Sequence, residues 1–153
     1  MRKALVVLIA LCAVTFGFAM GASARPDTAY SVLVNIPFGF YAGDQWMPAG
    51  KYFIDMTAFI GFASGSMLRV SSPDGLICQY LLTMRIDGTK NDTDYRVTFT
   101  KYGESYFLAK VTNSDLGAQA AKSRAERKLA SEHAQASGAV TSVEVVAAPA
   151  RAK

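Results

Sequence analysis

The chain has very little of what most catalytic and metal sites are built from. Of its 153 residues, one is histidine, two are cysteine and one is tryptophan. A nucleophile needs a base beside it, and zinc needs three or four nitrogen or sulfur ligands. His133 and Cys78 supply neither set, and Cys12 lies in the apolar N-terminal run. No G-x-S-x-G, Walker loop or dinucleotide fingerprint occurs. The net charge is only +4, and two of those positive charges are Arg2 and Lys3. So weak a field gives no reason to expect nucleic acid as a partner.

The one long apolar run stands at the N-terminus. Met1-Arg2-Lys3 is followed by ALVVLIALCAVTFGFAM, and then by Gly21-Ala22-Ser23-Ala24. A charged start, an apolar run and small residues at Ala22 and Ala24 predict a secretory signal peptide over 1–24, cleaved after Ala24. The run is short of the ~20 residues of a spanning helix. Leu11 before Cys12 breaks a lipobox, and Cys12 sits inside the run rather than at its end. The expectation is an exported chain, periplasmic or extracellular, with no spanning helix after cleavage. Only Cys78 then remains, so no intramolecular disulfide can staple the fold.

From Thr28 to Val111, short apolar stretches alternate with turn residues, which is the signature of an all-β chain. In TAYSVLVNI, residues Tyr30, Val32, Val34 and Ile36 share one face, and Pro37 ends the run. Gly43-Asp44 and Gly103-Glu104 read as two-residue hairpin turns opened by glycine. The first places Tyr41 opposite Trp46. The second places Tyr102 opposite Ser105, Phe99 opposite Leu108 and Thr100 opposite Phe107. That second hairpin carries apolar residues on both faces, so it reads as scaffold in a sheet covered on both sides. KYFIDMT puts Tyr52, Ile54 and Met56 on one side. Ser72-Pro73-Asp74-Gly75 is a turn. In LICQYLLTMRI, residues Leu76, Cys78, Tyr80, Leu82, Met84 and Ile86 share one face. The pattern makes Cys78 a small core residue rather than a reactive thiol.

After Asn113 the composition shifts to helix formers. Ser123-Arg124-Ala125-Glu126 is a capping box, which predicts a helix from Ser123 to about Gln135. TSVEVV adds a short strand, and AAPARAK reads as a disordered tail. The division is therefore 1–24 signal peptide, 25–113 β-domain, 114–136 loop and helix, and 137–153 short strand and tail. The fold class is mainly β: a single-domain antiparallel β-sandwich or small barrel with one C-terminal helix.

IPFGF, MPAGKY, FTKYGESYFLAKV and KSRAERKLA occur in this order from about Asn35 to Ala130. They resemble a family of small, exported, β-rich proteins abundant in acidobacteria, with the pattern PF-F, lPAG-Y, YG-yFL and kSr-Er-lA. The resemblance implies an exported β-domain and carries no activity, ligand or catalytic residue with it. This chain has Lys101 where a histidine is frequent in that family.

The remaining candidates are surfaces. Trp46 with Tyr41 is a stacking platform or an ordinary cross-strand pair. Phe59 and Phe62 lie in a glycine- and serine-rich loop, where exposure would mark an interface. Asp87, Asn91, Asp92 and Asp94 offer oxygen ligands of the kind calcium uses, but Lys90 stands among them and the EF-hand order is not met. Asp44, Asp74, Asp87 and Glu104 fall at turns, which accounts for them without a glycosidase pair. Lys122, Arg124, Arg127 and Lys128 read as a solvated basic face, as does His133 between Glu132 and Ala134. No cofactor or metal is expected, and no enzyme activity. The expected function is a non-catalytic binding or structural module, with self-association or an envelope polymer as partner. The alternative is a carrier of a small apolar ligand, with a cavity lined by residues such as Tyr80, Leu82 and Phe107.

Overall fold

Alternation decides which side chains enter the interior, and the strand ladder decides how the interior is enclosed. The computed structural model describes residues 28–58, 65–89, 94–136 and 138–150. Its strands are β1 (Thr28–Ile36), β2 (Phe40–Ala42), β3 (Gln45–Met47), β4 (Gly50–Ala58) and β5 (Gly65–Ser71). They continue as β6 (Cys78–Asp87), β7 (Tyr95–Tyr102), β8 (Ser105–Thr112), β9 (Leu116–Ala120) and β10 (Val140–Pro149). One helix, α1 (Arg124–Gln135), lies between β9 and β10. The chain is thus mainly β with a C-terminal helix.

Hydrogen bonding runs β3-β2-β8-β7-β10-β1-β4-β5-β6-β9, and β9 also pairs with β8. Eight antiparallel strands, from β8 through β7, β10, β1, β4, β5 and β6 to β9, therefore form a closed ladder. The two-stranded unit β2–β3 hangs on β8 by a parallel pairing of Tyr41 with Phe107.

The interior is apolar. Val32, Val34 and Ile36 from β1 meet Ile54 and Tyr52 from β4, Leu68 and Val70 from β5, and Val97 and Phe99 from β7. Phe40 fixes the centre by edge-to-face contacts with Tyr52 and Phe99, with centroids 5.3 Å away in both cases. The Tyr52 hydroxyl donates to the Pro48 carbonyl at 2.7 Å, so its polar end is satisfied.

Both hairpin registers read from the sequence are present. Tyr41 faces Trp46, and Tyr102 faces Ser105, Phe99 faces Leu108 and Thr100 faces Phe107. Gly43 and Gly103 take φ of 64° and 60°, the left-handed region where glycine carries no Cβ penalty. The hairpin face bearing Tyr102 and Phe107 is covered from outside by α1 and by Tyr41 respectively.

Three expectations are corrected. The β region does not end at 113. Five residues of β9 close the ring between β6 and β8, and ten residues of β10 enter between β7 and β1. The tail is not disordered through AAP: Ala148 pairs with Leu33 and Pro149 with Val32, and the Ala150 amide bonds the Ser31 carbonyl at 2.9 Å. Residues 151–153 lie outside the described residues. The third correction is the orientation of β6. Its apolar face points outward: Tyr80 is 53%, Leu82 76% and Met84 59% exposed, and Cys78 is exposed rather than core.

The register with β5 explains this reversal. Leu68 and Val70 must face inward, and they pair with Leu81 and Gln79, while Ser66 pairs with Thr83. Thr83 is buried without penalty because its hydroxyl bonds Ser66 Oγ at 2.6 Å and the Ser66 carbonyl at 2.9 Å. A one-residue slip would turn β6 over but would break every one of these pairs. Two neighbours on β6 test the orientation. Leu81→Ala, at a buried site, is expected to cost about 2–5 kcal/mol. Leu82→Ala, in dilute solution, is expected to change stability by less than about 0.5 kcal/mol. Urea titration of both variants checks it, and the reverse order would place β6 the other way round.

Candidate functional site

The outward face of β8, β2 and β3 carries a row of aromatic side chains set by register alone. Phe107, Tyr41 and Trp46 are directly opposite one another across the three strands. Exposure rises along the row: Phe107 is buried, Tyr41 is half-buried and Trp46 is 53% exposed. Tyr41 stacks on Phe107 with centroids 5.0 Å apart and rings 16° from parallel. The Trp46 indole lies against Gly39, where a Cβ would stand 3.1 Å from Cζ2. A side chain at 39 would push the indole off its seat. Among the described residues, β3 is the strand end of the ladder with no further strand beside it. The row therefore ends in an exposed indole on a free strand edge.

Behind this row the aromatic contacts continue inward to the helix. Phe107 meets Tyr102 edge-on at 5.9 Å, and Tyr102 meets His133 edge-on at 5.8 Å. His133 is half-buried, and its Nδ1 lies 3.2 Å from the Leu129 carbonyl. The sequence reading of His133 as a solvated residue is thus corrected: its ring packs against Tyr102 and beside Gly103. The helix buries it because the thin stripe of Ala125, Leu129 and Ala130 alone gives too little apolar surface for docking.

The start of α1 is held from two sides. Ser123 Oγ accepts from the Glu126 amide at 3.1 Å, as the capping box requires. Asp44, at the tip of the β2–β3 turn, accepts from the Ala125 amide at 3.1 Å. That backbone hydrogen bond holds the Asp44 carboxyl below the ordinary range, with help from the Ser123 hydroxyl and the charges of Arg124 and Arg127. Asp44, Ser123, Arg124, Arg127 and Lys128 line an open groove of about 620 Å³. The groove already contains its own anion, Asp44. It therefore works as a latch between the hairpin and the helix.

Glu126 is 5% exposed under α1. The Tyr102 hydroxyl donates to its Oε1 at 3.4 Å, and Lys122 Nζ donates to the same hydroxyl at 3.4 Å. Burial pushes the Glu126 carboxyl up, against the opposing pull of Lys122, Tyr102 and the Ser123 amide. The sequence marks Glu126 only as a capping-box residue. Its burial comes from the docking of α1 on Tyr102, which no local pattern encodes.

Phe59 and Phe62 lie outside the described residues, as do Lys90, Asn91 and Asp92 of the acidic loop. Asp87 lines a second groove with Gly88, Ser114 and Asp115. Among the described residues, no group of three or more His, Cys, Asp and Glu side chains could hold a metal ion. Tyr80 and Leu82 point away from the interior, so they line no internal cavity, and Phe107 is covered by Tyr41. No family model, curated protein or solved structure matches the chain.

The raised Glu126 carboxyl makes helix docking pH-dependent. Below the unfolded-state value both states hold the proton and nothing is lost. As pH rises through the raised folded-state value, the folded chain must bury the charge and loses stability. Glu126→Gln keeps the cap and removes the charge. The difference in Tm between variant and wild type is expected to be small near pH 4 and to widen in the variant's favour towards pH 7. Melting curves that stay parallel across that range would contradict the assignment.

Proposed function

We propose that the protein is an exported, non-catalytic module that binds an extended envelope polymer along β3, with Trp46 as the stacking platform. One observation carries this reading: an aromatic row, braced on Phe107 and seated on Gly39, ends in an exposed indole at a free strand edge. Such a surface offers a flat apolar face beside a strand edge, which suits a chain laid along it. Export is argued from the leader over 1–24. No helix among the described residues is long and apolar enough to cross a membrane. The strand faces also argue against a membrane-spanning barrel. Val32, Ile54 and Val97 point inward while Lys51, Arg69 and Glu144 stand outside, the reverse of lipid-facing strands.

The carrier reading is the weaker one. Two of its three expected lining residues, Tyr80 and Leu82, face solvent, and the interior is occupied by Phe40, Phe99 and Met47. Catalysis has no pair of acids to draw on at the row, and the raised carboxyl of Glu126 is taken up by the helix cap.

Trp46 is the chain's only tryptophan, so its emission reports this site without interference. Titration with soluble glycan strands and with extended peptides prepared from the cell envelope is expected to shift or quench that emission saturably. Trp46→Ala is expected to weaken retention on the immobilised polymer about tenfold or more, given stacking of ~1–3 kcal/mol, while leaving the fold intact. Unchanged emission with both polymer classes, or unchanged retention of the variant, would sink the proposal.

A further inference from the structure

We infer that the outward face of β6 is the contact surface of a homodimer, in which Tyr80, Leu82 and Met84 of one copy pack on the same stripe of a second copy. The stripe is the consequence of the β5–β6 register, which sends the apolar side of β6 into solvent. Met67 on β5 stands directly opposite Leu82 and widens the patch. Side chains of this size at these exposures present on the order of 500 Å² of apolar surface, towards the top of what one patch on a monomer carries. Laid on itself across a two-fold axis, the patch removes roughly 1,000 Å² from water, at the threshold of a specific interface. That area fits a reversible dimer in the micromolar range rather than a permanent one.

Charge favours a second copy over a charged partner. At the level of Tyr80 the neighbouring strand presents Arg69, whose Nε donates to Asp55 Oδ2 at 2.8 Å. Asp55 also accepts from Ser31, so both charges are satisfied within the chain. On the same flank Cys78 stands opposite Ser71 of β5, and on the other Met84 stands opposite Gln119 of β9; neither neighbour is charged. On the outer face beyond Gln119 the ladder reaches Lys110 only on β8, two strands away from Met84. An isologous contact sets like against like, which a neutral patch tolerates and a charged one does not. The two methionines, Met67 and Met84, can adjust to their own image because the unbranched side chain takes many shapes. The β2–β3 turn packs against Leu81 of β6, so this surface lies on the part of the wall next to the unit that carries Trp46.

Sedimentation equilibrium of the exported, processed protein across the micromolar range tests the inference. The wild type is expected to follow a monomer–dimer equilibrium. Leu82→Glu, which buries an unpaired charge at the axis, is expected to raise the dissociation constant on the order of a hundredfold. Leu82→Ser is expected to raise it about tenfold, and covers the case in which the glutamate variant expresses poorly. Lys51→Glu on β4 is expected to leave it unchanged. Circular dichroism and Tm of the dilute variants are expected to match wild type, because the altered side chain is exposed in the monomer. A wild type that stays monomeric throughout, including one that instead floats with lipid vesicles, overturns the inference. So does a dimer that both Leu82 variants leave intact.

Discussion

The structure depends on one narrow joint, where the end of the chain closes the ladder onto its beginning. β10 pairs with β7 over eight residues, from Val140 to Ala147, but meets β1 only through Ala148 and Pro149 and the bond from Ala150 to Ser31. Proline is acceptable there because it gives up a donor only where the pairing is about to end. Without this joint β1 and β10 would each show a long unpaired edge, and the interior between them would open to water. With it, Val32, Val34, Val97 and Phe99 are sealed in one interior. The cost of closing a loop over the whole described chain grows only with the logarithm of its length, so a distant strand is a thermodynamically reasonable way to finish the ring.

A second consequence of closure is that the wall is uneven. β9 is five residues long and pairs with β6 only from Thr83 to Asp87. Below that level β8 takes β2 as its neighbour instead, and the turn at Gly43 packs against Leu81 of β6. The β2–β3 unit thus fills the wall where β9 runs out, sends Phe40, Ala42 and Met47 into the core, and leaves Tyr41 and Trp46 outside. The same turn carries Asp44 to the start of α1. The platform, the gap filler and the helix latch are therefore one device, positioned by a two-residue turn.

Local rules were legible in the sequence, and assembly rules were not. Gly43-Asp44 and Gly103-Glu104 fix their hairpins because glycine and turn length determine register within a few residues. Ser123 and Glu126 mark the helix start for the same reason. The orientation of β6 is not legible, because alternation alone favours the apolar set of Tyr80, Leu82 and Met84 as its inward face. The true arbiter is the pairing of Leu68 with Leu81 and Ser66 with Thr83, a contact between strands. AAPARAK reads as a tail because alanine and proline have weak strand propensity; its residues Ala147 to Pro149 are held by pairing, Ala147 with β7 and Ala148 and Pro149 with β1. Of the site, the opposition of Tyr41 and Trp46 could be read. The brace of Phe107 could not, since it arises from a parallel pairing distant in sequence. The sequence marks Glu126 as a capping-box residue and His133 as part of a solvated helix face, and only the docking on Tyr102 reveals both as packed groups.

Amide hydrogen exchange at the closing joint tests this account most directly. If the ladder is closed through β10, the Ala150 amide and the amides of β10 exchange as slowly as those of β1, together and in step with global unfolding. If Ala150 and β10 exchange at the rate of a free peptide while β1 and β4 remain protected, the ladder is open at that point and the description of the enclosed interior fails.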